Sequence, residues 1–131
     1  MRHPSAMKIS VPTTLAVLFA PLLALGGCQS AAQLEEKPPT WTSVYQAQWE
    51  PMANCIVARS QRPLVTVTPT FSAGRANIVV KNAAGAVLGT FDVREYRGRN
   101  ATEVAYRSIY GGPTSDAGGD ARDIADRCAR P

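Results

Sequence analysis

Apolar and polar positions divide the chain into stretches of different period. Residues 9–25 form a nearly unbroken apolar run, broken by Pro12 and Pro21. Residues 29–40 (QSAAQLEEKPPT) are polar and end in two prolines. From there Trp41, Val44, Tyr45, Trp49, Met52, Cys55 and Ile56 recur at spacings of three and four, which predicts a helix over 41–60. Thr40 or Thr42 is placed to cap its start. Pro51 lacks an amide proton and clashes with the preceding turn. Either the helix kinks there or a second helix begins with Pro51 in its first turn.

The period then changes to two. In 64–70 (LVTVTPT), Val65 and Val67 share a face and Pro69 marks an edge or an end. A second run, 76–82, centres on Ile78, Val79 and Val80. After the turn Ala83-Ala84-Gly85, the positions Val87, Gly89, Phe91 and Val93 alternate. A second turn, Arg97-Gly98-Arg99-Asn100, leads to a fourth run over 102–110, with Val104, Tyr106, Ser108 and Tyr110 on one side. Connections this short predict antiparallel neighbours. Residues 111–119 (GGPTSDAGG) read as a loop. Asp120 then caps a final helix over 121–130, with Ala121, Ile124, Ala125 and Cys128 as its apolar stripe. Asp123 with Arg127 and Asp126 with Arg130 stand four apart, acid first, the favourable order. The expected fold is α+β in the order α-β-β-β-β-α: a small antiparallel sheet of about four strands, with an N-terminal and a C-terminal helix on one face.

The first stretch is of another kind. Arg2 and Lys8 precede the apolar run, which ends Leu25-Gly26-Gly27-Cys28, the layout of a secretory signal. A membrane span needs ~20 apolar residues. This run is shorter, carries two prolines and ends in glycines. Residues 7–28 make a complete signal by themselves, so Met1 and Met7 are both candidate starts. Leu25-Gly26-Gly27-Cys28 resembles the lipobox of bacterial lipoproteins, with Gly26 where Ala or Ser is more usual. The resemblance covers residues 1–29. It implies removal of 1–27, attachment of diacylglycerol to Cys28 and acylation (commonly palmitate) of the new amino terminus. Gln29, rather than Asp, after the cysteine implies the outer membrane and a periplasm-facing domain. One acyl chain binds a bilayer only reversibly, whereas several anchor it stably. The implied organisation is a signal peptide over 1–27, a lipidated terminus and tether over 28–40, and a single α+β domain over 41–131. As a flexible coil the tether has a reach of roughly 20 Å.

Charge and chemistry change this picture little. The 131-residue chain has a net charge of +4. Losing Arg2 and Lys8 lowers it to +2, so the basic pI is weak support for an anionic partner, and nucleic acid is not expected. Three cysteines are present. With Cys28 lipidated, Cys55 and Cys128 form the one intramolecular pairing left, and an oxidising envelope compartment favours it. The single histidine, His3, lies in the signal. The mature part therefore offers no His-based triad and little for a zinc site. Asp116, Asp120 and Asp123 read as turn and helix-start residues rather than acid–base catalysts. No cofactor is implied.

Arg94, Tyr96, Arg97, Arg99, Tyr106 and Arg107 gather around one hairpin. Arginine with tyrosine suits a carboxylate, phosphate or sugar. The alternative is a solvated tip neutralised by Glu95 and Glu103. The function expected from sequence is a non-catalytic envelope accessory or interaction module of the cell envelope, anchored to the membrane. The alternative is a small inhibitor or ligand-binding protein that recognises an envelope protein, an anionic lipid or a cell-wall glycan through the hairpin.

Overall fold

A computed structural model describes residues 30–97, 100–110 and 118–130. The elements run α1 (Ala31–Glu35), β1 (Trp41–Tyr45), α2 (Trp49–Ser60), β2 (Val65–Ser72), β3 (Arg75–Asn82), β4 (Val87–Glu95), β5 (Thr102–Ser108) and α3 (Gly119–Cys128). The strands form one open antiparallel sheet in the order β1-β5-β4-β3-β2. The class is α+β, as the alternating periods predict, but the sheet has five strands rather than four.

The extra strand comes from the segment expected to be all helix. Trp41 and Tyr45 stand four apart, a spacing that satisfies both a helical face and one face of a strand. The residues between them, Thr42, Ser43 and Val44, include two β-branched side chains, which suit a pleated surface. The segment pairs with β5, Trp41 opposite Tyr106 and Tyr45 opposite Thr102. Val44 consequently faces outward rather than into a helical stripe. Helix α2 then begins at Trp49 with Gln48 as N-cap, so Pro51 lies in its first turn, where a missing amide proton costs no intrahelical bond.

The tether reading is also corrected. Residues 31–35 are helical and docked. Ser30 Oγ accepts from the Gln33 amide, and Gln33 Oε1 accepts from the Ser30 amide, a reciprocal capping box. Leu34 is fully buried, and α1 packs on β4 and β5. A five-residue helix is not stable alone; burial of Leu34 and the cap hold this one. The final helix begins two residues earlier than expected, with Gly118 as N-cap and Asp120 in the first turn.

The two sides of the sheet differ. On one, Ala76, Ile78, Phe91, Val93, Val104 and Tyr106 meet Met52, Ala53 and Ile56 of α2 and Ala121 and Ala125 of α3. Tyr106 leans across β4 because residue 89 is glycine: a Cβ there would lie 2.7 Å from Tyr106 Cζ. The opposite side carries the alternate residues Asn77, Asp92 and Arg94, and α1 lies there, with Glu35 Oε1 accepting from Asn77 Nδ2 at 2.7 Å.

Candidate functional site

Cys55 sits midway along α2 and Cys128 ends α3. The fold brings their Cα atoms to 5.6 Å, joined as a disulfide across 73 residues of sequence. Both are half-buried where the two helices pack together. Tyr45 on β1 adds a polar tie to the same helix, its hydroxyl donating to Asp126 Oδ1 at 2.8 Å. Burial first, and then that bond to a carboxylate, push the Tyr45 hydroxyl up to about 12. Asp126 is thus engaged with Tyr45, while Asp123 pairs with Arg127 at 3.2 Å as the spacing predicts.

The five described residues of the hairpin grouping do not converge. Tyr106 is a core side chain, its ring 4.8 Å from Phe91 and 5.9 Å from Trp41, and burial raises its hydroxyl above the ordinary tyrosine value. Arg107 is adjacent in the strand and so points to the other face, where its Nε donates to the Lys37 carbonyl at 2.8 Å. Arg94 is paired with buried Asp92, which also receives Arg75 Nε at 2.8 Å. Its hydrogen bond to Asp92 raises the Arg94 guanidinium further above its usual value. Tyr96 and Arg97 stay at the tip, the guanidinium 5.0 Å from the ring centroid. Arg97 takes a positive φ of 52°, a conformation that L residues adopt only in tight turns. Arg99 lies outside the described residues, as do Cys28 and Asp116.

That end of the molecule nevertheless carries a recess that sequence reading missed. Antiparallel pairing gathers the β2–β3 turn, the β4–β5 hairpin and the start of α2 together; the Glu95 amide donates to the Gly74 carbonyl at 2.8 Å. Between the start of α2 and the β4–β5 hairpin is a cleft of about 500 Å³ lined by Gln48, Trp49, Glu50, Pro51, Asn54, Glu95 and Asn100. The Trp49 ring lies 6.4 Å from that of Phe71, which is itself exposed. Trp49 belongs to the apolar positions spaced three and four apart along 41–60. It packs against the core from the first turn of α2 and also borders the cleft, where its neighbours Gln48 and Glu50 are exposed.

At the opposite end a cavity of about 220 Å³ opens between the helices and the sheet, lined by Ser60, Val80, Leu88, Phe91, Tyr106 and Ile124 among others. Ser60 Oγ is buried there without a hydrogen-bond partner among the described residues. Asp120, at its rim, pairs with Arg62 at 3.7 Å, and both side chains are exposed. Asp120 and Asp123 are thus each paired with an arginine, Arg62 and Arg127. Among the described residues, no three His, Cys, Asp or Glu side chains are grouped to hold a metal ion, and no helix is long and apolar enough to cross a membrane. No family model matches the chain, and comparison with curated proteins and with solved structures finds no match.

Proposed function

We propose that this protein is a lipid-anchored envelope protein of the outer membrane, whose small domain is a non-catalytic accessory or interaction module facing the periplasm. The carrying observation is the disposition of the three cysteines. Cys55 and Cys128 are joined between α2 and α3. The one thiol left is Cys28, which ends the signal-like stretch Leu25-Gly26-Gly27-Cys28. A cross-link closing most of the domain suits an exported chain, and a single remaining cysteine at the cleavage position suits lipid transfer. The N-terminal peptide of protein purified from membranes is expected to begin at Cys28 and to carry diacylglycerol and an N-acyl chain by mass spectrometry. Cys28→Ser is expected to leave the membrane fraction. An unmodified Cys28, or an intact leader, would sink the reading. Crosslinking in intact cells then tests the accessory role: one dominant protein partner supports it.

A second reading, a ligand-binding module, is favoured by the cleft at the hairpin end. The lining combines one indole ring, three amides and two carboxylates, with no cation among the described residues. That mixture suits a neutral, hydroxyl-rich ligand such as a glycan better than the anionic ligand suggested by the arginines. Sedimentation with insoluble cell-wall polymer, lost in Trp49→Ala and kept in Arg97→Ser, would support it. No sedimentation of the unaltered protein would exclude a cell-wall glycan.

A further inference from the structure

The anchor reading, joined to the docked α1, has a geometric consequence for how the domain sits on a membrane. Ser30 is fixed by its capping box and by Leu34, which is fully buried one turn later. Two residue steps separate Ser30 from Cys28. Each step spans at most ~3.6 Å, so the lipid-bearing residue lies within ~7 Å of Ser30. A coil over the whole of 29–40 would have let the domain turn freely. Seven ångströms does not.

The surroundings of Ser30 are specific. Together with Thr68, Val79, Lys81, Gly85 and Val87, it borders a shallow cleft of about 380 Å³ on the α1-bearing side of the sheet. Gly85 belongs to the β3–β4 turn, which Asn82 Oδ1 holds by accepting from the amides of Ala84 and Ala86 at 3.0 Å each. The lining is a lysine, hydroxyls and small apolar groups, with no carboxylate. A cation and hydroxyls against phosphate-bearing headgroups is a complementary pairing. The β2–β3 and β4–β5 turns lie at the far end of the sheet; the eight residues of β3 put ~24 Å between the ends. The start of α2 lies at that far end and on the opposite side of the sheet.

We infer that the corner formed by Ser30, Lys81 and the β3–β4 turn rests on the bilayer headgroups, and that the diagonally opposite corner, the α2 start with Trp49 beside Phe71, faces away. The docked α1 acts as a short strap that sets this orientation, and the Trp49 cleft is thereby presented to whatever approaches from the periplasm. The inference rests on lipidation of Cys28.

The test uses the lipidated protein, extracted from membranes with its disulfide intact and reconstituted in vesicles of phosphatidylethanolamine and phosphatidylglycerol. Single exposed cysteines, Ala84→Cys or Glu50→Cys, carry a maleimide fluorophore, and a fraction of the lipids carry a nitroxide on the headgroup. Quenching at residue 84 is expected to exceed that at residue 50 by about threefold or more, because contact quenching does not reach across ~24 Å. Leu34→Ser, which frees α1 and restores a long tether, is expected to bring the ratio close to one. Equal quenching at the two sites, or a ratio unchanged by Leu34→Ser, overturns the orientation. N-terminal mass spectrometry separates the two failures. Diacylglycerol on Cys28 with equal quenching removes only the orientation. Unmodified Cys28 removes the anchor and the orientation with it.

Discussion

The two sides of the sheet are held by different physics. The side under α2 and α3 is a continuous apolar core, with Ile78, Phe91, Val93 and Val104 nearly or fully buried against Met52 and Ile56, and it is closed by the Cys55–Cys128 cross-link. The side under α1 is polar over much of its area. Its buried Asp92 stands between the guanidinium groups of Arg75 and Arg94, Thr90 Oγ1 is buried without a hydrogen-bond partner among the described residues, and Leu34 is the one large apolar side chain α1 buries there. Apolar burial scales with area and needs no partner geometry, whereas an ionic cluster returns little beyond its desolvation cost. The first side therefore carries the stability of the domain. The second is free to carry an attachment that can open without unfolding the rest.

The largest effect that sharpens this contrast is removal of the cross-link. Cys55→Ala with Cys128→Ala opens a loop spanning 73 residues, and the chain-entropy estimate is a loss of about 4 kcal/mol. Urea unfolding of the variant is expected to shift to a much lower midpoint, and reductant is expected to do the same to the unaltered protein. A loss under ~1 kcal/mol in that titration would mean that the apolar packing alone secures the helix side.

Asp92→Ala addresses the other side. Asp92 is 4% exposed, but Arg75 and Arg94 are each 46% exposed and can turn to water when their partner is lost. The expected cost is about 2 kcal/mol, below the 3–5 of a fully buried pair that loses one member. Urea unfolding checks it. A cost equal to that of the disulfide would erase the distinction between the sides.

The same contrast explains what could be read from the chain. Strands β2 to β5 were legible because Val65 and Val67, Phe91 and Val93, or Val104 and Tyr106 alternate without a competing period. Strand β1 was not, because Trp41 and Tyr45 satisfy two periods at once and only pairing with β5 chooses between them. Helix α1 offers one large apolar residue in five, too few for any periodicity; tertiary contact makes it. The cysteine pairing was legible by elimination. The separation of Tyr106 from Arg107 was visible in the alternation itself: they are neighbours in a strand and must face opposite sides. The Trp49 cleft was hidden because it is assembled from the start of α2 and the distant β4–β5 hairpin, so no local spacing marks it.

Leu34→Ser probes the strap with a smaller effect. The expected loss is about 1.5–2 kcal/mol, the transfer value of one leucine, and it is confined to α1, because the chain can lift away without opening the core. Hydrogen exchange is expected to lose protection at residues 34 and 37, whose amides donate within this segment, while β3, β4 and β5 keep theirs. Lost protection in the central strands would show that the α1 side is part of the cooperative core.

The smallest effect concerns Tyr45, which ties β1 to α3 through Asp126. Tyr45→Phe keeps the ring and removes the hydroxyl, at an expected cost of about 1 kcal/mol at neutral pH. The pH dependence is the sharper reading. Folding holds this hydroxyl protonated up to about 12, against 10.0 for an ordinary tyrosine. Below pH 10 both folded and unfolded chains bind the proton, so the contribution is complete; above it the unfolded chain releases the proton first. The stability is then lost as pH rises through about 12. Tyr106, raised by burial, contributes in the same direction. Tyr45→Phe should therefore make the fall in unfolding midpoint between pH 10 and 12 shallower without abolishing it. An unchanged slope would mean that the Tyr45–Asp126 tie does not persist in solution, and that α3 is held to the sheet by its apolar stripe and by Trp41, whose Nε1 donates to the Gly118 carbonyl at 3.1 Å.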